Sequence, residues 1–135
     1  MDQKVQDIID RAIYGTPEIK PEERQLFLTT ILERIHIALT KRQVIHKGMY
    51  SEALQIMKTK SNLHLYVNSN LNYGNYSNYI QEANKIGIRF TIVTPQKQTP
   101  FGLVLATESQ AINGNDIFVK DDLFERDMEE SATNF

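Results

Sequence analysis

Apolar residues alternate with polar ones at period two in two places, Leu63-His64-Leu65-Tyr66-Val67-Asn68 and Ile88-Arg89-Phe90-Thr91-Ile92-Val93. Both stretches predict strands. Between them Tyr76, Tyr79, Ile80, Ala83 and Ile86 recur at three and four, which predicts a helix, and Gly87 stands where a left-handed cap is wanted. Strand, helix and strand in that order predict two parallel neighbours joined by a crossover, and this unit is the centre of the expected fold.

On either side the spacing is helical or mixed. Val5, Ile8, Ile9, Ala12 and Ile13 draw a short amphipathic helix that Gly15-Thr16-Pro17 ends. Pro21, Glu22 and Glu23 suit a helix start, and Leu26, Phe27, Ile31, Ile35, Ala38 and Leu39 extend one stripe, predicting a helix over about 22–40. Gln43 to His46 reads as a short strand and Tyr50 to Lys58 as a helix. Thr99-Pro100 opens a short apolar helix through Phe101, Leu103, Val104 and Leu105. Ala111-Ile112, the turn Asn113-Gly114 and Ile117-Phe118-Val119 close the pattern as a final strand, in hairpin form. The expected architecture is α/β: a single three-layer domain with a central mixed, mostly parallel sheet of about four strands and helices on both faces.

Composition narrows the chemistry. The 135 residues fit one domain, taken here as an N-terminal helix over 1–15, an α/β body over 16–120 and an acidic tail over 121–135. With no cysteine there are no disulfides, thiolate ligands or cysteine nucleophile. The apolar runs are too short for a membrane helix and the N-terminus does not read as a targeting signal, so the expectation is a cytoplasmic protein with no membrane partner. The net charge of -2 is uneven. Residues 121–135 hold six acidic side chains against Arg126, leaving 14 basic and 11 acidic before them. Such an end is expected to be solvated, or alternatively to screen a basic patch on the body.

A set of short motifs resembles the YueI-like family, a domain of unknown function in Gram-positive bacteria. They are Pro21-Glu22-Glu23-Arg24, Phe27-Leu28, Glu33-Arg34, Ala38-Leu39-Thr40 with Gln43-Val44, Tyr79-Ile80-Gln81, Phe90-Thr91-Ile92-Val93, Gly102 to Ala106 and Ala111-Ile112. The likeness spans roughly 12–122. It departs at Thr29, where a glycine is expected, and at Leu32, where a basic residue is expected. The resemblance implies a mixed-sheet fold like that of small chorismate mutases, similar also in element order to the kink-turn-binding ribosomal proteins. Fold likeness does not carry function with it.

Catalytic and metal-binding signatures are missing. His36, His46 and His64 are scattered, Glu33 and Arg34 are adjacent and so diverge on a helix, and neither a nucleophile elbow nor a phosphate-binding glycine loop occurs. No catalytic residue, metal ligand or cofactor is therefore assigned. Two features retain functional weight. Lys41, Arg42, His46 and Lys47 form a basic cluster suited to a polyanion, with structured RNA as the partner it would take. Asn68, Asn70, Asn72, Tyr73 and Asn75, where a strand turns into a helix, offer stacking area and amide groups for a small ligand. The leading expectation is a non-catalytic binding or interaction module, with RNA binding and a small-molecule enzyme using a cleft between subunits as alternatives. Protein partners and a homo-oligomer stay open.

Overall fold

The computed structural model describes residues 20–112 and 116–134. The expected N-terminal helix over 1–15 and the Asn113-Gly114 turn lie outside them. Among the described residues there are five helices and four strands: α1 (Lys20–Leu26), β1 (Ile35–Thr40), α2 (Lys41–Ile45), α3 (Ser51–Thr59), β2 (Leu63–Asn68), α4 (Tyr73–Ile86), β3 (Arg89–Val93), β4 (Phe101–Thr107) and α5 (Asp122–Asn134). A 3-10 turn, Leu32–Arg34, precedes β1.

The central unit forms as its pattern predicts. Leu63, Leu65 and Val67 are buried while His64 and Tyr66 are half-buried, and Gly87 ends α4 at φ 95°. β2 and β3 run parallel in unbroken register, His64 beside Arg89 through Asn68 beside Val93. The sheet order is β1-β4-β2-β3, and β4 is antiparallel to both β1 and β2. The sheet is therefore mixed, as expected, but mostly antiparallel. The expectation of a mostly parallel sheet fails because β4 returns between β1 and β2, leaving β2–β3 as the one parallel pair.

Two further corrections have one cause. Residues 35–40 are strand, not the end of a helix over 22–40, and 101–107 are strand, not helix. Every residue of β4 is buried, as is every residue of β1 except His36. A strand covered on both faces loses its alternation, and a continuous apolar run satisfies helical spacing by accident. Residues 43–46 are the converse error. Residues 43–45 belong to α2, with His46 as its C-cap, and the backbone N–H of Thr40 helps start that helix by donating to Gln43 Oε1 at 2.8 Å. The expected final strand is reduced to a single parallel bridge, Ala38 to Phe118.

Helices cover both faces. On one, Ala53 and Met57 of α3 and Tyr76, Tyr79, Ile80 and Ala83 of α4 pack over Leu65, Val67, Leu103 and Leu105. On the other, Leu26 and Phe27 with Phe124 and Met128 of α5 pack over Ile35, Phe101, Val104 and Ala106. The acidic end is thus a docked amphipathic helix and not a solvated tail. Gly102 explains how α2 sits so low on β4, since a Cβ there would meet Leu71 Cδ1 at 2.9 Å and the Lys41 Cα at 3.1 Å. Thr29, where the family resemblance leads one to expect glycine, has φ 81°, a left-handed conformation that costs a β-branched residue about 1–3 kcal/mol.

Candidate functional site

The loop after α2 and the start of α5 are far apart in sequence, and the fold brings them together. His46, Lys47, Met49, Tyr50, Ser51 and Glu52 face Asp121, Asp122, Leu123 and Arg126 across an open cleft of about 620 Å³. Each wall is fixed by hydrogen bonds. Gly48 turns the first loop at φ 89°, and the Tyr50 N–H donates to the buried Tyr79 hydroxyl at 2.9 Å. On the second wall Asp121 Oδ1 accepts the Phe124 N–H at 3.0 Å, which caps α5. Gln43, fully buried, joins the walls by donating through Nε2 to the Val119 carbonyl at 2.7 Å and to Asp121 Oδ1 at 3.0 Å. The Tyr50 hydroxyl donates to Asp121 Oδ2 at 2.5 Å.

These bonds set the ionisation of the pair. Burial and then the Asp121 carboxylate push the Tyr50 phenol far above its ordinary range, so it stays a donor. Burial alone would raise Asp121, but donation from Tyr50, the Phe124 amide and Gln43 outweighs it and holds the carboxyl below 3.8. The cleft presents Lys47 and Glu52 on one wall and Asp121, Asp122 and Arg126 on the other, both signs of charge on each.

Of the residues that the sequence suggests for a polyanion, His46 and Lys47 are exposed and line this cleft. Arg42 does not join them. Its backbone N–H and Nη1 donate to Asp127 Oδ2 and Oδ1 at 2.7 and 2.8 Å, and Nη2 donates to Glu130. Hydrogen bonding to Glu130, then the charge of Asp127, raise its pKa. Lys41 lines a smaller cavity of about 80 Å³ with Thr99, Asp127, Glu130 and Ser131. The acidic helix thus screens part of the basic cluster.

The asparagine and tyrosine turn lies elsewhere. Asn68 is fully buried, donating to the Phe101 carbonyl at 3.0 Å and accepting the Asn70 N–H at 2.9 Å, so its amide is used in holding the turn to β4. Asn70 and Asn72 are exposed and Asn75 is half-buried, its N–H on the Asn72 carbonyl at 2.9 Å. Tyr73 is 61% exposed and meets Tyr76 edge-on at 5.5 Å.

A third constellation combines residues the sequence left separate. His64 Nδ1 lies 2.7 Å from Glu108 Oε1, and its Nε2 lies 2.7 Å from Thr91 Oγ1. Arg89 donates to the other Glu108 oxygen, and Tyr66 stacks on the imidazole at 4.5 Å. Carboxylate, imidazole and hydroxyl stand in the order used for nucleophile activation. Here they bridge β2, β3 and the end of β4 on exposed surface, which makes a cross-strand tie of them. Glu108 is held below the usual carboxylate range, first by the hydrogen bond to His64 and also by Arg89, against an opposing effect of burial. Among the described residues no group of three or more His, Cys, Asp or Glu could hold a metal ion, and no helix is long and apolar enough to cross a membrane.

Of the cleft residues, sequence reasoning missed Tyr50, Glu52, Asp121, Asp122 and Arg126. One signal was available: Asp121 can cap a helix and Asp122 and Glu125 put negative charge in its first turn, and recognising that start would have made residues 122–134 an element.

A single mixed α/β sheet with a charged cleft at one end defines a class of small domain, and comparison with known proteins identifies the family. The model of the family described as "Protein of unknown function (DUF1694)" matches residues 2–118, and the chain belongs to that family. It is 39% identical over 128 residues to the uncharacterized protein YueI of Bacillus subtilis (strain 168), covering 94% of this chain and 96% of that protein. The crystal structure of the YueI protein from Bacillus subtilis is similar with a TM-score of 0.83, covering 93% of this chain and 98% of that one.

Proposed function

We infer that the protein is a non-catalytic binding module whose ligand site is the cleft between residues 46–52 and 121–126. The observation that carries this reading is the cleft's construction. Two segments far apart in sequence are locked to each other through Gln43, Tyr50 and Asp121, yet they leave an open volume of about 620 Å³ with charged side chains on both rims. A preformed concave surface with a few convergent polar groups is the usual form of a small-molecule site. With Lys47 and Glu52 on one wall and Asp121, Asp122 and Arg126 on the other, the cleft suits a small ligand that carries both an anionic and a cationic group, such as an amino acid or a short zwitterionic peptide. The exposed Tyr73 with Asn70, Asn72 and Asn75 is a separate polar surface, and it remains the second place where a ligand contact would be sought.

The two alternatives raised by the sequence read differently against this geometry. Structured RNA would contact Lys41, Arg42, His46 and Lys47 together, and the engagement of Arg42 with Asp127 and Glu130 argues against that reading, as do the three carboxylates on the cleft rim. An enzyme with an intersubunit cleft, which the likeness to small chorismate mutases would allow, finds its nearest support in Glu108, His64 and Thr91.

The test is an amide NMR titration with three probes at low salt: a zwitterionic amino acid panel, inorganic phosphate and a structured RNA. Shifts from an amino acid probe confined to residues 46–53 and 121–126, and lost in Arg126→Ala and Asp122→Ala, support the reading. RNA binding that disappears on Lys41→Ala/Arg42→Ala/Lys47→Ala would replace it, and silence with all three probes would sink it.

A further inference from the structure

We propose that β3 pairs with β3 of a second copy, antiparallel and centred on Thr91, joining two four-stranded sheets into one of eight. β3 is an edge strand, hydrogen-bonded on one side to β2, with no strand on its other side among the described residues. A single backbone bond fixes its hydrogen-bonding parity. The Val93 carbonyl accepts the Ser69 N–H at 2.8 Å, so Val93, Thr91 and Arg89 direct their backbone groups to β2. The N–H and carbonyl groups of Phe90 and Ile92 therefore point away from the sheet.

That spacing is self-complementary. In an antiparallel pair the residues exchanging both hydrogen bonds are two apart, and a two-fold axis at Thr91 sets Phe90 of one copy opposite Ile92 of the other, twice. Four backbone bonds form at once. The side chains agree with the same register. Phe90 and Ile92 lie on the α4 face, as their partners Leu65 and Val67 do, and they are 39% and 42% exposed. Ile86, three residues before β3, is exposed to 42%. Cross-strand aromatic and β-branched pairs are among the better sheet contacts. On the opposite face Thr91 meets its own symmetry mate, and Arg89 lies opposite Val93.

Charge poses no obstacle, because the two Arg89 side chains end up four residues apart along the strand, about 13 Å. Apart from the charge of Arg89, β3 also lacks the usual sequence devices that keep an edge single. Its sequence Arg89-Phe90-Thr91-Ile92-Val93 has no proline and no lysine, and the β2–β3 register has no bulge. A helical segment laid over Phe90 and Ile92 would cover their side chains but leave those four backbone groups unpaired, so a second copy matches the edge better than the amphipathic stretch near the N-terminus does. This inference is independent of the cleft reading.

The absence of cysteine makes the register directly testable. At the pair centre the opposed Cα atoms are about 4.5 Å apart, within disulfide range. Thr91→Cys is expected to give a covalent dimer on mild oxidation, and Arg89→Cys, displaced from the axis, is expected to give little. Light scattering should find the wild type at twice 15.6 kDa, and Ile92→Lys at the monomer mass with an unchanged circular dichroism spectrum. Equal cross-linking of both cysteine variants would overturn the proposed register. A monomeric wild type would overturn the pairing itself, including one that dimerises only after residues 1–15 are removed, which would assign the edge to that segment.

Discussion

The two edges of this sheet are finished in opposite ways. Beside β1 the chain returns as residues 117–119, with the Ala38 N–H donating to the Ile117 carbonyl at 2.8 Å. Phe118 then stacks on Phe101 and reaches Phe27 and Phe124, with ring centroids 5.4 to 6.3 Å away. Beyond that, Asp127 of α5 fixes the start of α2 through Arg42. Beside β3, by contrast, no further strand lies among the described residues, and two large apolar side chains stand partly in water. A strand edge is satisfied either by the chain's own backbone or by something outside it, and this fold uses the first solution on one side only.

Substitutions on the covered edge should therefore cost stability, and those on the open edge should cost association. The largest expected loss is for Phe118→Ala, about 2–4 kcal/mol in urea unfolding, because it removes the ring that three other phenylalanines touch. A loss below 1 kcal/mol would mean that the strap is not what closes this edge. Asp127→Ala comes next at about 1.5–3 kcal/mol, since it strips two charge-assisted bonds from Arg42 at a buried carboxylate. Glu130→Ala, whose carboxylate is exposed, should change nothing measurable.

Asp121→Ala should cost about 1–2 kcal/mol at neutral pH through loss of the α5 cap and of the acceptor for Tyr50 and Gln43. Because the folded state holds Asp121 below its ordinary value of 3.8, that contribution is complete above 3.8 and is lost as the pH falls through the lower folded value. Wild-type and variant acid-unfolding curves should converge there. If their separation persists at the acid end, the charge is not the source. Thr29→Gly, in the turn that feeds β1, should gain about 1 kcal/mol by relieving its positive φ. Ile92→Lys, on the open edge, should shift monomer stability by less than about 0.5 kcal/mol. A larger destabilisation would show that Ile92 belongs to the core and would remove the contrast between the edges.

How much of this was legible in the sequence depended on burial. β2 kept its alternation because His64 and Tyr66 face partly open surface, and α4 kept its stripe because one side is wet. β1 and β4 lost theirs because both faces are covered, so the two most deeply buried strands were the hardest to see. The mostly antiparallel arrangement followed from where β4 inserts, which no local pattern encodes. Of the cleft, His46 and Lys47 were visible as a basic cluster. The partners from α5 were not, because six acidic side chains in fifteen residues read as a solvated end while Phe124 and Met128, the residues that dock it, were outnumbered.

The position of β4 also orders events in time. It is the last strand in the chain, yet it lies between β1 and β2, with Ile35 paired to Ala106. During synthesis β2, α4 and β3 can close among themselves as soon as residue 93 has emerged. β1, made earlier, must wait for its neighbour, and such distant pairings are slow to form. Until then β1, with its run of buried side chains, is exposed to association with other nascent chains, so the burst of slow folding and the risk of aggregation should both trace to the final third of the protein.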